Sequence, residues 1–367
     1  MTLTPFYISG KGLVELGMYS LLRPFLFRLD PEQAHKLTLN LVRLVGALPP
    51  LSTFLRIMIA VPAMPVQAFG LTFSNPIGLA AGYDKDGLGW RGLACLGFGH
   101  IEVGTVTPLP QPGNPQPRIF RIPEQRAIIN RMGFPGRGAD FVAHQLKGRR
   151  PPGLVLGVNL GKNKDTPLEE ADRDYISLIK TFAPLADYLA INVSSPNTVG
   201  RRRLQGYQAL GHLLTAVDFQ RKLITAQGSA RQVPVLVKLA PDLTDAELED
   251  ALDAITQTGM DGVIATNTTL SRNGLCQSRF LQEDGGLSGT PLCQCSTEMV
   301  RKIYRYTQGK LPIIGVGGIM CAEDVREKQE AGASLVQVYT GLVYTGPGLV
   351  KNIVTGLIDD FQKSGAV

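Results

Sequence analysis

Residues 187–198, Asp-Tyr-Leu-Ala-Ile-Asn-Val-Ser-Ser-Pro-Asn-Thr, bring uncharged hydrogen-bonding groups to the end of a short apolar run. Tyr188 to Ile191 read as a buried strand. Asn192, Ser194, Ser195 and Asn197 follow it, and Pro196 prevents the strand from continuing. Amides and hydroxyls gathered in this way suit a planar, amide-rich ligand held beside a weak base. The same residue types also make ordinary polar turns, so this stretch alone leaves both readings open. The ends of the other apolar runs weigh against a plain turn.

Those ends read Ala80-Ala81-Gly82-Tyr83-Asp84-Lys85, Gly104-Thr105, Asn159, Lys238, Thr266-Asn267-Thr268, Gly315-Val316-Gly317-Gly318 and Tyr339-Thr340-Gly341. The glycines of the last two, with Ser288-Gly289 upstream, suit a phosphate cradled by backbone N–H groups, although tight turns also use glycine. Lys85 and Lys238 are costly at strand ends unless paired or used. One cation beside a reducible ring would stabilise the negative charge that arrives with a hydride. A second could hold a substrate carboxylate, and snorkelling to the rim is the plain alternative for both.

Other chemistries are poorly served. The histidines (His35, His100, His144, His212) are dispersed without Glu-x-x-His spacing, and Cys293-x-Cys295 lacks a second pair, so no metal site is expected. No predicted strand end offers the paired carboxylates of a glycosidase. Ser195 has no Gly-x-Ser-x-Gly elbow around it and reads as a proton acceptor rather than an acylated nucleophile.

The elements that must position these residues follow from the apolar pattern. The chain has 367 residues, is 44% hydrophobic and 19% charged, and carries a net charge of +6, the composition of a globular protein with a sizeable core. Arg201-Arg202-Arg203 is too short a basic cluster, without a recognisable module, for nucleic-acid binding. Five scattered cysteines suggest reduced thiols rather than a disulfide framework. No run of about 18 apolar residues spans a membrane, and the start lacks the pattern of a cleavable signal peptide.

Residues 11–48 read as two helices. Leu13, Val14, Leu16, Met18, Leu21, Leu22, Phe25, Leu26 and Phe27 crowd the first, and the second starts at an Asp30 cap with Pro31 at its first position and closes before Pro49-Pro50. Such a pair can pack on the main body or open an apolar slot toward a bilayer surface. Eight apolar runs follow, Ile77–Ala81, His100–Thr107, Leu154–Leu160, Tyr188–Val193, Val235–Leu239, Gly262–Thr266, Pro312–Val316 and Ser334–Tyr339. Helical stretches such as Asp245–Gly259 and Ala322–Ala331 lie between them. This alternation predicts an α/β fold, a (β/α)₈ barrel over residues 66–367, behind an N-terminal two-helix extension over residues 1–50. Val66–Phe73 reads as a hairpin at the barrel floor, and Arg118–Ile122 with Ala127–Arg131 as a hairpin inserted after strand two.

Motifs of several strand ends and loops, taken in order, resemble the dihydroorotate dehydrogenase family. They include Tyr83-Asp-Lys-Asp, Val103-Gly-Thr-Val-Thr-Pro, Ile129-Asn-Arg-Met-Gly-Phe, Val158-Asn-Leu-Gly-Lys-Asn-Lys, Asn192-Val-Ser-Ser-Pro-Asn-Thr, Val237-Lys-Leu-Ala-Pro-Asp, Thr266-Asn-Thr-Thr, Gly286-Leu-Ser-Gly, Gly315-Val-Gly-Gly and Val338-Tyr-Thr-Gly. The resemblance implies an FMN barrel that oxidises dihydroorotate to orotate in pyrimidine synthesis. Members with soluble acceptors use a cysteine where Ser195 stands and lack the N-terminal helices. The chain therefore resembles the class 2, quinone-reducing branch, peripheral to a membrane, with the cytoplasmic side of a bacterial inner membrane favoured over a mitochondrial one.

By the same resemblance, Ser195 is the catalytic base, taking a proton from substrate C5 as hydride leaves C6. Asn130, Asn192, Asn197, Asn267 and Thr268 bind the pyrimidine, with Lys85 near its carboxylate and Phe134 packing beside it. Ala80, Ala81, Gly82, Gly104, Thr105, Asn159, Asn192, Lys238, Thr266, Ser288, Gly289, Val316, Gly317, Gly318, Tyr339 and Thr340 line FMN. His35, Arg121 and Tyr339 border the quinone tunnel. The chain departs from the family pattern at Pro135-Gly-Arg-Gly after Phe134, and at Leu26 and Val343, where some relatives carry polar tunnel residues. The rival readings are another FMN barrel acting on a dihydropyrimidine, a family member with a soluble acceptor, or a non-catalytic lipid-binding barrel.

Overall fold

Eight parallel strands close into a barrel: β1 (Ile77–Leu79), β2 (His100–Val106), β3 (Val155–Leu160), β4 (Tyr188–Asn192), β5 (Val235–Leu239), β6 (Gly262–Ala265), β7 (Ile313–Val316) and β8 (Leu335–Val338). The computed structural model describes residues 13–194, 207–228, 232–275 and 280–364. Neighbours along the chain are neighbours in the sheet, and β8 returns to β1 with Val336 opposite Ile77. The expected (β/α)₈ architecture is therefore present. Its strands are apolar on both faces because each face is covered. In β4, Tyr188 and Ala190 join the cluster inside the barrel, while Leu189 and Ile191 join the layer beneath the outer helices.

The floor is closed by an antiparallel hairpin of Val66–Ala68 with Leu71–Phe73. Phe73 is buried among the interior side chains. Phe69 packs beneath β6, where a Cβ on Gly262 would come within 2.4 Å of its ring. At the opposite end, Ile119–Ile122 pairs with Ala127–Asn130 as the inserted hairpin. The loop after β6 adds a third strand, Gly286–Gly289, which the sequence pattern did not predict.

The N-terminal unit contains α1 (Leu13–Arg28) and α2 (Pro31–Ala47), as expected, and continues past residue 50 into α3 (Pro49–Met58). Pro49-Pro50 both stop α2 and start α3, because proline is pre-organised for the first helical turn. The two axes bend by 106° at that point. Asp30 caps α2, accepting from the backbone N–H groups of Glu32 at 2.9 Å and Gln33 at 3.1 Å.

A buried ion pair fastens this unit to the barrel. The Arg118 guanidinium, next to the inserted hairpin, donates to both Glu32 oxygens at 3.0 and 2.9 Å. It also donates to the carbonyls of Pro112 and Asn114. The Arg118 hydrogen bonds outweigh burial and hold the Glu32 carboxyl down at about 2. Its contribution to stability is therefore complete above about pH 4.5 and fades as pH falls toward 2. Glu32→Gln leaves a buried guanidinium without its carboxylate and is expected to cost about 3 kcal/mol in urea unfolding at pH 7. An unchanged midpoint would contradict this docking.

Candidate active site

A cavity of about 610 Å³ lies on the C-terminal ends of the barrel strands and reaches α1 and α2. Strand-end residues Ala80, Ala81, Gly82, Lys85, Thr105, Asn192, Lys238, Thr266, Asn267 and Thr268 line it, and Asn130 and Phe134 enter from the inserted hairpin and its following loop. Ser288, Gly289, Val316, Gly317, Gly318, Tyr339 and Thr340 form one end, with His35 and Arg121 toward the other. Gly104 and Asn159 stand behind this wall. The Gly104 carbonyl accepts from Gly82 N–H at 2.6 Å, and Asn159 supports Thr105 and Asn192. Ser195 and Asn197 lie outside the described residues.

A continuous hydrogen-bond network supports the amide wall. Asn192 Nδ2 donates to Thr105 Oγ1 at 3.0 Å and to Asn159 Oδ1 at 3.2 Å. Asn267 Nδ2 donates to Ser194 Oγ at 3.1 Å, and Thr268 N–H donates to Asn267 Oδ1 at 2.8 Å. Beneath them, Asn159 Nδ2 donates to Glu102 Oε1 at 2.8 Å. Glu102 Oε2 accepts from Tyr188 and Gln337 at 3.0 and 2.9 Å. Lys238 Nζ stands 3.8 Å from Glu102 Oε1. Glu102 escaped the sequence reading because an acid within an apolar strand does not reveal which face it takes.

At the glycine end, the turn after β7 approaches the helix Cys293–Tyr306 so closely that a Cβ on Gly318 would lie 2.4 Å from Cys293. Gly317 and Gly318 have φ of +131° and +74°, values that favour glycine. Ser288 and Thr340 hydroxyls lie 2.8 Å apart beside this turn. A glycine turn flanked by hydroxyls, with a lysine and an amide wall beyond it, fits a planar phosphorylated ligand: phosphate at the turn, polar ring edge on the amides.

Lys85 donates to the Gly82 carbonyl at 2.6 Å. Burial, with Arg118 nearby, lowers its pKa to about 8, so the ammonium persists at neutral pH and is available to an anionic ligand. The loop that departs from the family pattern is tied to the same turn: Arg137 N–H donates to Asp86 Oδ1 at 2.9 Å, and Gln111 and Gly136 exchange backbone hydrogen bonds at 3.0 Å.

The helical end is more apolar, lined by Leu22, Leu26, Ala34, Leu41 and Val343. The His35 ring meets Tyr83 edge-on at 4.9 Å, and Tyr83 meets Tyr339 at 5.6 Å. Arg121 donates to the carbonyls of Leu26, Phe27 and Leu29, so it fixes the end of α1. Tyr19 reinforces this contact by donating to the Val343 carbonyl at 2.5 Å. Tyr83 was visible in the sequence only as part of a motif; its place between two expected tunnel residues comes from the structure.

A family model described as Dihydroorotate dehydrogenase matches residues 63–361. The chain is 50% identical over 351 residues to the dihydroorotate dehydrogenase (quinone) of Acidithiobacillus ferrooxidans, covering 95% of this chain and 96% of that one. It is 50% identical over 338 residues to the protein of the same name from Yersinia pseudotuberculosis, covering 92% and 99%. The crystal structure of DHODH in complex with ferulenol from Eimeria tenella superposes with a TM-score of 0.81 at 38% identity, covering 92% of this chain and 93% of that one.

Burial, followed by the nearby Lys85 charge, lowers the His35 pKa to about 4, so the imidazole is neutral at neutral pH. Its ring proton signals in NMR are expected to titrate near pH 4. A midpoint near the ordinary 6.5 would contradict the enclosed position.

Proposed function

The chain belongs to the dihydroorotate dehydrogenase family, and from that premise we propose that FMN and dihydroorotate share the strand-end cavity while quinone enters between α1 and α2. The enzyme oxidises dihydroorotate to orotate with a quinone as electron acceptor, in pyrimidine biosynthesis. The family implies a flavin. The observation that carries the finer reading is the single cavity, which joins a glycine turn, an amide wall with Lys238, and an apolar passage to the helices.

FMN, when bound, supplies the acceptor for the substrate's hydride. Lys238, held near Glu102, offers a fixed positive charge where negative charge develops. Asn130, Asn192, Asn197 and Asn267 match the alternating N–H and C=O groups of the pyrimidine, because an amide both donates and accepts. Thr268 adds a hydroxyl, Phe134 packs against the ring, and Lys85 pairs with the carboxylate. Ser195 takes the C5 proton. Gly104 and Asn159 serve from behind the wall, the first through Gly82 and the second through Thr105 and Asn192.

Membrane attachment is the role we assign to residues 13–58, with residues 66–364 as the catalytic barrel. Leu21, Phe25, Phe54 and Ile57 are each more than half exposed on the helices, an apolar surface of the kind that docks at interfaces. Among the described residues no single helix is long and apolar enough to cross a bilayer. The bacterial sources of the relatives support the cytoplasmic face of an inner membrane.

Flavin released from the purified protein is expected to be FMN. Anaerobic dihydroorotate should bleach its absorbance rapidly in stopped flow, and Ser195→Ala should slow that phase by about 10²- to 10⁴-fold with flavin content unchanged. A colourless folded protein would refute the cofactor, unbleached flavin the substrate pose, and an unslowed variant the base.

A further inference from the structure

Lys328 is fully buried on the helix Ala322–Glu330, yet it has no carboxylate within ion-pair distance among the described residues. Its Nζ donates to Ser296 Oγ and Thr297 Oγ1, both at 3.0 Å, and to the Cys293 carbonyl at 3.4 Å. These partners belong to the first turn of the helix Cys293–Tyr306, whose N-terminal dipole is itself positive and repels a cation. Asp324, one turn earlier on the same helix, accepts from the backbone N–H groups of Met320 at 2.7 Å and Cys321 at 3.0 Å. Burial lowers the lysine's pKa to about 8, with Cys293, Asp324 and Glu327 only partly opposing that shift. A buried cation in such a place is unfavourable unless an anion offsets it.

The end of β7 packs on this lysine, and the glycine turn that follows packs on the lysine's partners Ser296 and Cys293. A Cβ on Gly315 would stand 3.2 Å from Lys328 Cδ, and one on Gly317 would stand 2.9 Å from Ser296 Cβ. Ser296 links the two layers by accepting from Lys328 and donating to the Val316 carbonyl at 2.6 Å. Gly318 packs on Cys293 from the same side.

We propose that Lys328 is a positioning residue of the cofactor site: from beneath the Gly317-Gly318 turn it supplies the positive charge that selects a phosphorylated flavin. This inference rests on the phosphate reading of that turn given above. Lys328 does not touch the ligand; it acts through Ser296 and the turn backbone and through its field, which the dry interior screens weakly.

The test starts from holoenzyme and exchanges bound FMN against added riboflavin, which has the same ring but no phosphate. In wild type the exchange equilibrium should favour FMN strongly. In Lys328→Met that preference should fall by about tenfold or more, with riboflavin affinity little changed, and Lys328→Arg should retain part of it. Lys328→Gln, which keeps a donor for both hydroxyls, replaces the methionine variant if that one does not fold. A merely structural lysine would weaken both flavins equally and leave the ratio unchanged, which would overturn the inference. A wild-type ratio near one would instead refute the phosphate reading of the turn.

Discussion

Glu102 is a fully buried carboxylate inside a parallel barrel, and such a group persists only if its oxygens are satisfied. Side chains from four other strands meet that need: Asn159 on β3, Tyr188 on β4, Lys238 on β5 and Gln337 on β8. The carboxyl oxygens accept from Asn159, Tyr188 and Gln337, and the Lys238 ammonium stands 3.8 Å away as an ion-pair partner. Asn159 is thereby fixed with its carbonyl oxygen toward the cavity, where it receives Thr105 and Asn192. Asn192 in turn receives Ser194, and Asn267 donates to the Ser194 hydroxyl. The orientation of the amide wall thus traces back to one acid in the barrel interior. This is how a shallow set of strand ends becomes a rigid surface for a planar ligand.

The two ends of the cavity differ in character. Polar groups and lysines crowd the strand-end region, while leucines, a valine and aromatic rings in edge-to-face contact line the passage toward α1 and α2. The helices are not loosely attached. Glu32 is joined to Arg118, Arg121 caps the end of α1, and Tyr19 reaches the carbonyl of Val343. Arg118 directly precedes the strand that pairs with Asn130, so the helical unit and the cavity wall share a support.

Much of this was legible in the sequence, for physical reasons. Parallel strands covered on both faces read as apolar runs, and their polar endings mark the cavity. What escaped depends on tertiary context. Gly286–Gly289 has poor strand propensity and forms by pairing with Ala127–Asn130. Pro49-Pro50 marked the end of α2, but a proline pair can equally begin a helix, as it does for α3. Lys328 sits in Arg-Glu-Lys-Gln-Glu, which reads as a solvated helix face, and Glu102 sits in a run that reads as uniformly buried. In both cases the charge is buried by neighbours distant in the chain, and no local pattern records them.

The most direct test of the dependence on Glu102 is a double-mutant cycle of unfolding free energies on the flavin-loaded enzyme, comparing Glu102→Met, Lys238→Met and the double variant with wild type. Each single change leaves a buried charge without its partner, whereas the double change removes both. The double variant is therefore expected to be less destabilised than the sum of the singles by at least about 1 kcal/mol. Strict additivity would contradict the account, because it would mean that Glu102 does not hold Lys238 and that the cavity wall has another support.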